Sequence, residues 1–411
     1  MSRVDRPRAS WPTFARRVLV AVVLVIAVAF MVLVVWAEPA TPDAFYTAPG
    51  PVPATPGALI RSEPFTRGVP ADARAWRILY TTTREGGAPA LASAIVLAST
   101  RAPAGPRPII AWAHGTTGVA PGCAPSLLED YLATGGLPAL SESVAQGWVL
   151  VATDYAGMGT DGPAPYLIGD GEARSVLDSV RAAQQLETVQ VERGAVVWGH
   201  SQGGHAALWT GVLAPTYAPD LNVHGVAALA PASDLTGLLA EVQATDIGQI
   251  ISAYLAQAYS QTYPEITYDE IVRPGARLLA GDLARRCLSG RKAILSVIEA
   301  FAIRGSIFSV ETSGDGSFAR RLRQNIPNHP IPAPLLIAQG LTDELVLPHL
   351  QDAFVKQRCA AGQPLEFRTY SRKDHLQLVQ QSIELRQDLI AWTQARLDGV
   401  PPAAGCQTIG R

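Results

Sequence analysis

"VVWGHSQGGHAALW", Val196 to Trp209, decides how the rest of the chain is read. A β-branched apolar run ends at Gly199, a lone serine follows at Ser201, and a stretch with helical spacing begins at Gln202. Gly199-His200-Ser201-Gln202-Gly203 fits G-x-S-x-G, a pattern short enough to arise by chance. Its setting, between a strand and a helix, is what gives it meaning. A serine at the apex of so sharp a turn sits in strained backbone with its Oγ exposed. Side chains at 199 and 203 would collide across the turn, which is why glycine stands there. Gly204 lets the helix pack closely. The helix opens with an unpaired backbone N–H at Gln202, aimed where an oxyanion would form.

Outward from this turn, apolar runs bounded by turn residues recur along the chain. They are Ala75–Thr83, Ala90–Ser99, Pro108–Gly115, Trp148–Tyr155, Ala195–Ser201, Val223–Pro231, Pro334–Gly340 and Leu365–Tyr370. Helical patterns such as Glu172–Glu187 and Gln202–Leu213 lie between them. Such alternation predicts an α/β fold with a mostly parallel sheet and helices on both faces. Residues 233–328 break the alternation with helical patterns only, and so long an interval is no simple loop. It is expected to form a helical cap inserted over the carboxyl edge of the sheet.

A serine nucleophile needs a base, and the base needs an orienting carboxylate. Asp343 stands just past the strand Pro334–Gly340, at the carboxyl end where ligands gather in such sheets, with Glu344 as its rival. His375 follows the last strand in "YSRKDHLQL" and is the one histidine downstream of His349. His200, His205, His224, His329 and His349 are expected to pack or to lie on the surface. The second oxyanion donor is expected from "AWAHGTTGVAPGCAPS", where His114 ends a strand. Thr116 is the expected donor there, with the amides of Gly115 and Thr117 as alternatives.

The N-terminus differs in kind. Arg3, Arg6, Arg8, Arg16 and Arg17 precede an uncharged run from Val18 to Ala37. A helix rising ~1.5 Å per residue over that run spans roughly 30 Å, a bilayer's hydrocarbon layer. It reads as a retained membrane anchor with the body outside, or as a signal cleaved near Val35-Trp36-Ala37. The expected organisation is therefore 1–37 anchor or signal, 38–72 Pro/Ala-rich linker, and 73–411 catalytic domain carrying the 233–328 cap. The 411 residues include 48% apolar and 17% charged side chains, with a formal net charge of -2. That balance suits a large core and gives no basic surface for nucleic acid. The four cysteines, Cys123, Cys287, Cys359 and Cys406, lack metal-ligand spacing. In an exported chain they are expected to form two disulfides.

"HGTTGVAPGCAPS", "ATDYAGMGTDGPAPYLIG", "GHSQGGHAALW", "GLTDELVLP" and "DHLQL" occur here in the order seen in the secretory lipase family. The chain from about Pro64 onward resembles that family, whose fungal lipase A type is a branch of the α/β-hydrolase superfamily. The resemblance implies a carboxylic ester hydrolase with Ser201, Asp343 and His375 as triad and a helical lid. It also implies pairing of Cys123 with Cys287 and of Cys359 with Cys406. The lipase A type has an acidic residue at the oxyanion loop, where this chain has His-Gly-Thr-Thr. Asp154, in "DYAGMG", is read as structural. No metal or organic cofactor is expected. The expected partner is a small-molecule or lipid ester, met by a monomer, with a membrane as partner only if the N-terminal segment is retained. An acyltransferase would use the same residues, and a non-catalytic surface binding protein could keep the fold.

Overall fold

The computed structural model describes residues 13–129, 131–132, 136–289 and 293–411, without the side chains of 13, 14, 29, 30, 33 and 36. Arg3, Arg6 and Arg8 of the basic flank therefore lie outside the described residues. Among the described residues ten strands form one sheet: β1 Leu59–Phe65, β2 Ala73–Thr83, β3 Pro89–Ser99, β4 Arg107–Ala113, β5 Val149–Thr153, β6 Val191–His200, β7 Asn222–Leu229, β8 Leu335–Gly340, β9 Leu365–Tyr370 and β10 Cys406–Gly410. Their order is β1-β2-β3-β5-β4-β6-β7-β8-β9-β10. The pairs β1/β2, β2/β3 and β3/β5 are antiparallel, and all others are parallel.

Alternation along the central strands explains the two core layers. On β4, Ile109, Ala111 and Ala113 face one layer, whereas Ile110 and Trp112 face the other. The first layer is covered by α3 (Gly169–Ala183) and α4 (Gln202–Tyr217), through Val176, Val180, Ala206 and Leu208. The second is covered by α2 (Leu140–Ala145) and by the C-terminal helix Ile383–Leu397, through Val144, Leu385, Leu389 and Trp392. Burying both faces requires near-continuous apolar runs, the feature that made these strands readable. The result is the α/β-hydrolase arrangement.

Between β7 and β8 the described residues contain α5 (Leu235–Val242), α6 (Asp246–Thr262), α7 (Tyr268–Ile271), α8 (Arg277–Arg285), α9 (Ala293–Ala302) and α10 (Ser317–Gln324). Val272 and Phe308 add one isolated bridge. Ile250–Tyr259 of α6 is buried nearly throughout, whereas Ile294, Val297, Ile298 and Phe301 of α9 are exposed. The Cys123–Cys287 disulfide ties this helical interval, at the end of α8, to the loop after β4. Cys359–Cys406 joins β10 to the helix Pro348–Ala360. Both pairings are those the resemblance implied.

Residues 38–72 are more than a spacer. Phe45 and Tyr46 are buried, the Tyr46 hydroxyl lies 2.8 Å from Ser126 Oγ, and β1 pairs with β2 along its length. At the N-terminus, α1 runs Thr13–Ala37 with Val18, Leu24 and Val35 exposed. Among the described residues no helix is long and apolar enough to cross a membrane.

Candidate active site

The chain order crosses over between β4 and β6, which are neighbours although β5 intervenes in sequence. Loops leaving two such strands turn to opposite faces and open a crevice at the carboxyl edge. Ser201 follows β6 there. Its backbone lies at φ 58° and ψ −117°, a strained conformation for a residue with a side chain. A Cβ at Gly199 would lie 1.9 Å from the Gly203 carbonyl oxygen, and a Cβ at Gly203 would lie 1.9 Å from that of Ala113. The glycines at 199 and 203 are therefore obligatory. Gln202 opens α4, and its amide donates no bond to protein among the described residues.

Asp343 and His375 follow β8 and β9 and meet. His375 Nδ1 lies 2.7 Å from Asp343 Oδ2. The Asp343 carboxylate is buried and surrounded by donors. Its Oδ1 accepts the amides of Leu345 and Val346, each at 2.9 Å, and its Oδ2 also accepts Gln339 Nε2 at 3.2 Å. Glu344, its rival in the sequence, points to solvent. His375 is brought to the turn by His200, whose ring stands 4.6 Å from the His375 ring. His200 Nε2 lies 3.0 Å from the His375 carbonyl oxygen. A carbonyl only accepts, so this nitrogen donates. Burial holds the His200 imidazole well below its ordinary pKa and keeps it neutral.

The loop after β4 closes the third side. A Cβ on Gly115 would lie 3.2 Å from the His200 carbonyl oxygen and 3.7 Å from Ser201 Cβ. Thr116 follows, and a narrow pocket is lined by Thr116, Tyr166, Leu167, Ser201, Gln202, Ala232, Leu238, Ile251, Leu345 and Val346. Thr117 does not line it, because its hydroxyl turns away to the Cys123 carbonyl at 2.9 Å. Thr116 Oγ1 lies 2.9 Å from the Tyr166 hydroxyl. Leu238 and Ile251 belong to α5 and α6, so the helical interval supplies one wall of the pocket. A roomier cavity lies between the β2–β3 turn and the end of α6, lined by Arg84, Glu85, Pro163 and Gln261, and touches none of these residues. Among the described residues no cluster of three or more His, Cys, Asp or Glu side chains could hold a metal ion.

No local pattern signals that His200 bridges to His375 or that Tyr166 reaches Thr116, because both contacts join distant parts of the chain. The other histidines lie apart from the pocket. His114 is buried, with Nδ1 2.7 Å from the Gly115 carbonyl, and burial lowers its pKa to about 4. His349 is exposed beside Glu241, His224 bonds Asn222, and His329 packs near Trp209.

Asp154 is a buried carboxylate away from the pocket. It accepts the Ser126 amide at 2.8 Å and the hydroxyls of Ser93 and Ser126. Burial raises its pKa from 3.8 to about 6 despite these bonds. A carboxyl raised on folding contributes stability that is full below the unfolded pKa and is lost as pH rises through the folded value. Asp154→Asn removes that loss, because the two serine hydroxyls can rotate to accept from its amide. Relative to the parent, the variant is expected to gain on the order of 2–3 kcal/mol between pH 4 and pH 7.5. Urea unfolding at both pH values checks this, and an equal difference at both would refute it.

The model of the secretory lipase family matches residues 132–405. Lipase A of Arthroderma benhamiae is 25% identical over 402 residues, covering 90% of this chain and 82% of that protein. A Mycobacterium tuberculosis protein described as a probable inactive lipase is 29% identical over 237 residues, covering 54% of this chain and 52% of its own length. The crystal structure of Candida antarctica lipase A in its closed state superposes with a TM-score of 0.73 at 20% identity, over 90% of each chain. With the family model matching two thirds of its length, this chain belongs to the secretory lipase family and is a carboxylic ester hydrolase.

Proposed function

We propose that this chain is an exported serine esterase or lipase working through Ser201, His375 and Asp343, in a catalytic domain that runs from residue 73 to 411 and also takes in β1, with 233–328 as its cap. The observation that carries the reading is the His375–Asp343 pair, delivered beside the strained Ser201 turn by His200 at the crossover point of the sheet. With Asp343 bonded to Nδ1–H, the free lone pair of His375 is on Nε2. Ser201 Oγ attacks the ester carbonyl carbon while its proton passes to Nε2. The carbonyl oxygen becomes an oxyanion between the amides of Gln202 and Thr116. Nε2–H then protonates the leaving alcohol, and an acyl-Ser201 ester remains. Water attacks that ester, gives its proton to Nε2, and the acid departs as Ser201 regains its proton.

Export rests on the arginine-flanked apolar run Val18–Ala37, on the two disulfides and on the family. N-terminal sequencing of the exported protein separates cleavage after Ala37 from retention of the segment.

Substrate preference follows from the pocket wall. Leu238, Ile251, Leu345 and Val346 offer an apolar surface to an acyl chain. Each buried CH₂ contributes up to ~0.8 kcal/mol, or about fourfold in kcat/KM, until the pocket is full. p-Nitrophenyl esters of about four to ten carbons are therefore expected to outrun the acetate by at least tenfold, and peptide amides to be poor substrates. A series from acetate to palmitate, with a peptide amide beside it, tests this. Acetate fastest, with the amide cleaved at a comparable rate, overturns the reading.

A further inference from the structure

One helical turn beyond Ser201, His205 is fully buried and pairs with Glu172, a fully buried carboxylate in the first turn of α3. His205 Nδ1 lies 2.6 Å from Glu172 Oε2, and His205 Nε2 lies 2.7 Å from the carbonyl oxygen of Asn325, just past the end of α10. The carbonyl only accepts, so Nε2 carries a hydrogen. That removes His205 as a base for Ser201, since its outer nitrogen has no lone pair to offer. A second proton is shared between Nδ1 and Oε2, and the pair is neutral overall wherever that proton sits.

The other carboxylate oxygen faces the active site. Glu172 Oε1 accepts the Leu167 amide at 3.0 Å and the Gln202 side-chain amide at 2.9 Å. Both residues line the pocket with Ser201. Leu167 holds a left-handed backbone, φ 52°, and Gln202 carries the N–H proposed above as an oxyanion donor. The Gln202 Oε1 finds no partner among the described residues, so Glu172 dictates how this side chain lies. The anchor extends outward. Asn325 Oδ1 accepts the Gly169 amide, and its Nδ2 donates to the Tyr263 hydroxyl, each at 2.9 Å. One carboxylate thus ties two walls of the pocket to each other and, through His205 and Asn325, to the helical interval.

We propose that Glu172, held by His205, is a positioning residue for the oxyanion site: it fixes Gln202 and Leu167 about Ser201 by accepting a hydrogen bond from each. The proposal rests on the reading of Ser201 as nucleophile and of the Gln202 amide as oxyanion donor. Such a role acts on the transition state more than on the bound ester, so kcat moves and KM does not.

The test compares Glu172→Leu, Glu172→Gln and Gln202→Met in the full chain, with rates per active site counted by fluorophosphonate labelling. Glu172→Leu removes both acceptor bonds and is expected to lower kcat for p-nitrophenyl butyrate about 10- to 100-fold with KM within about threefold. Inhibition by a boronic acid, which mimics the tetrahedral state, should weaken in the same proportion. Glu172→Gln keeps Oε1 for the two N–H groups. Its NH₂ can donate to Nδ1 of a neutral His205, whose Nε2–H still reaches Asn325. It should recover most of the lost rate. Gln202→Met cuts only the side-chain tether and should lower kcat in the same sense, which keeps the test alive if Glu172→Leu fails to fold. Unchanged kcat per labelled site in Gln202→Met and in any folded Glu172→Leu overturns the proposal, as does a loss in Glu172→Gln equal to that in Glu172→Leu. Absence of labelling in the parent enzyme would instead mean that the nucleophile reading itself is wrong.

Discussion

Ser201→Ala is expected to lower ester hydrolysis by about 10⁴- to 10⁶-fold while leaving the protein folded. The substitution removes one hydroxyl at a position where the backbone, not the side chain, carries the strain, φ 58° being set by β6 on one side and α4 on the other. Alanine meets the same steric cost there as serine, so thermal unfolding should shift little. What disappears is the atom that forms the acyl ester, and the remaining groups act only as a unit with it. Rates with p-nitrophenyl butyrate, measured beside fluorophosphonate labelling and a melting curve, decide the matter. The probable inactive lipase that matches half of this chain gives the experiment its weight, since membership of the fold does not by itself secure the chemistry. A folded Ser201→Ala enzyme of near-parental rate would remove the elbow from the mechanism.

The parts of this site legible in the sequence are those set by local constraint. Gly199 and Gly203 must be glycine because another backbone passes within 1.9 Å of where their Cβ atoms would stand. Asp343 and His375 could be named because each follows an apolar strand of a parallel sheet, and such sheets gather their chemistry at the carboxyl ends. Edge strands were not legible. β1, "LIRSEPF", buries only Phe65 fully and contains a proline, and β10, "CQTIG", is exposed along most of its length. Each is paired on one side only, so neither needs the apolar run that marks a central strand. The burial of Phe45 and Tyr46 was hidden for a related reason, since two aromatic residues make no period. The sequence favours the Thr116 amide as second oxyanion donor but leaves Gly115 and Thr117 open, because the choice depends on the course of the loop. Glu172 with His205, and His200 with the His375 carbonyl, lie 33 and 175 residues apart in sequence. Only the assembled sheet brings such partners within reach.

Asp343→Asn should be nearly as damaging, costing on the order of 10⁴-fold in kcat, through a change of tautomer rather than a loss of shape. Every group around this carboxylate donates: the amides of Leu345 and Val346 to Oδ1, and Gln339 Nε2 with His375 Nδ1 to Oδ2. An asparagine must turn its NH₂ toward one of those two sets. Facing the backbone amides, it would set donor against donor at two fixed N–H groups in a buried site, at a cost of roughly 1–3 kcal/mol each. Facing His375, it would donate to Nδ1 and force the hydrogen onto Nε2, the nitrogen that must accept the Ser201 proton, at the loss of the longer Gln339 bond, whose Nε2 keeps the Gly340 and Val346 carbonyls as acceptors. His375 is the side chain that can change tautomer to relieve the clash, so the second arrangement prevails and the imidazole is left in the form that cannot act as base. Glu344→Gln, one residue on and exposed, should stay within about twofold of the parent, as surface substitutions usually do. Combining Asp343→Asn with Ser201→Ala should be no worse than Ser201→Ala alone, because members of one catalytic unit do not contribute additively. A folded Asp343→Asn enzyme within tenfold of the parental kcat, or a Glu344→Gln enzyme that loses as much, would assign the orienting carboxylate elsewhere.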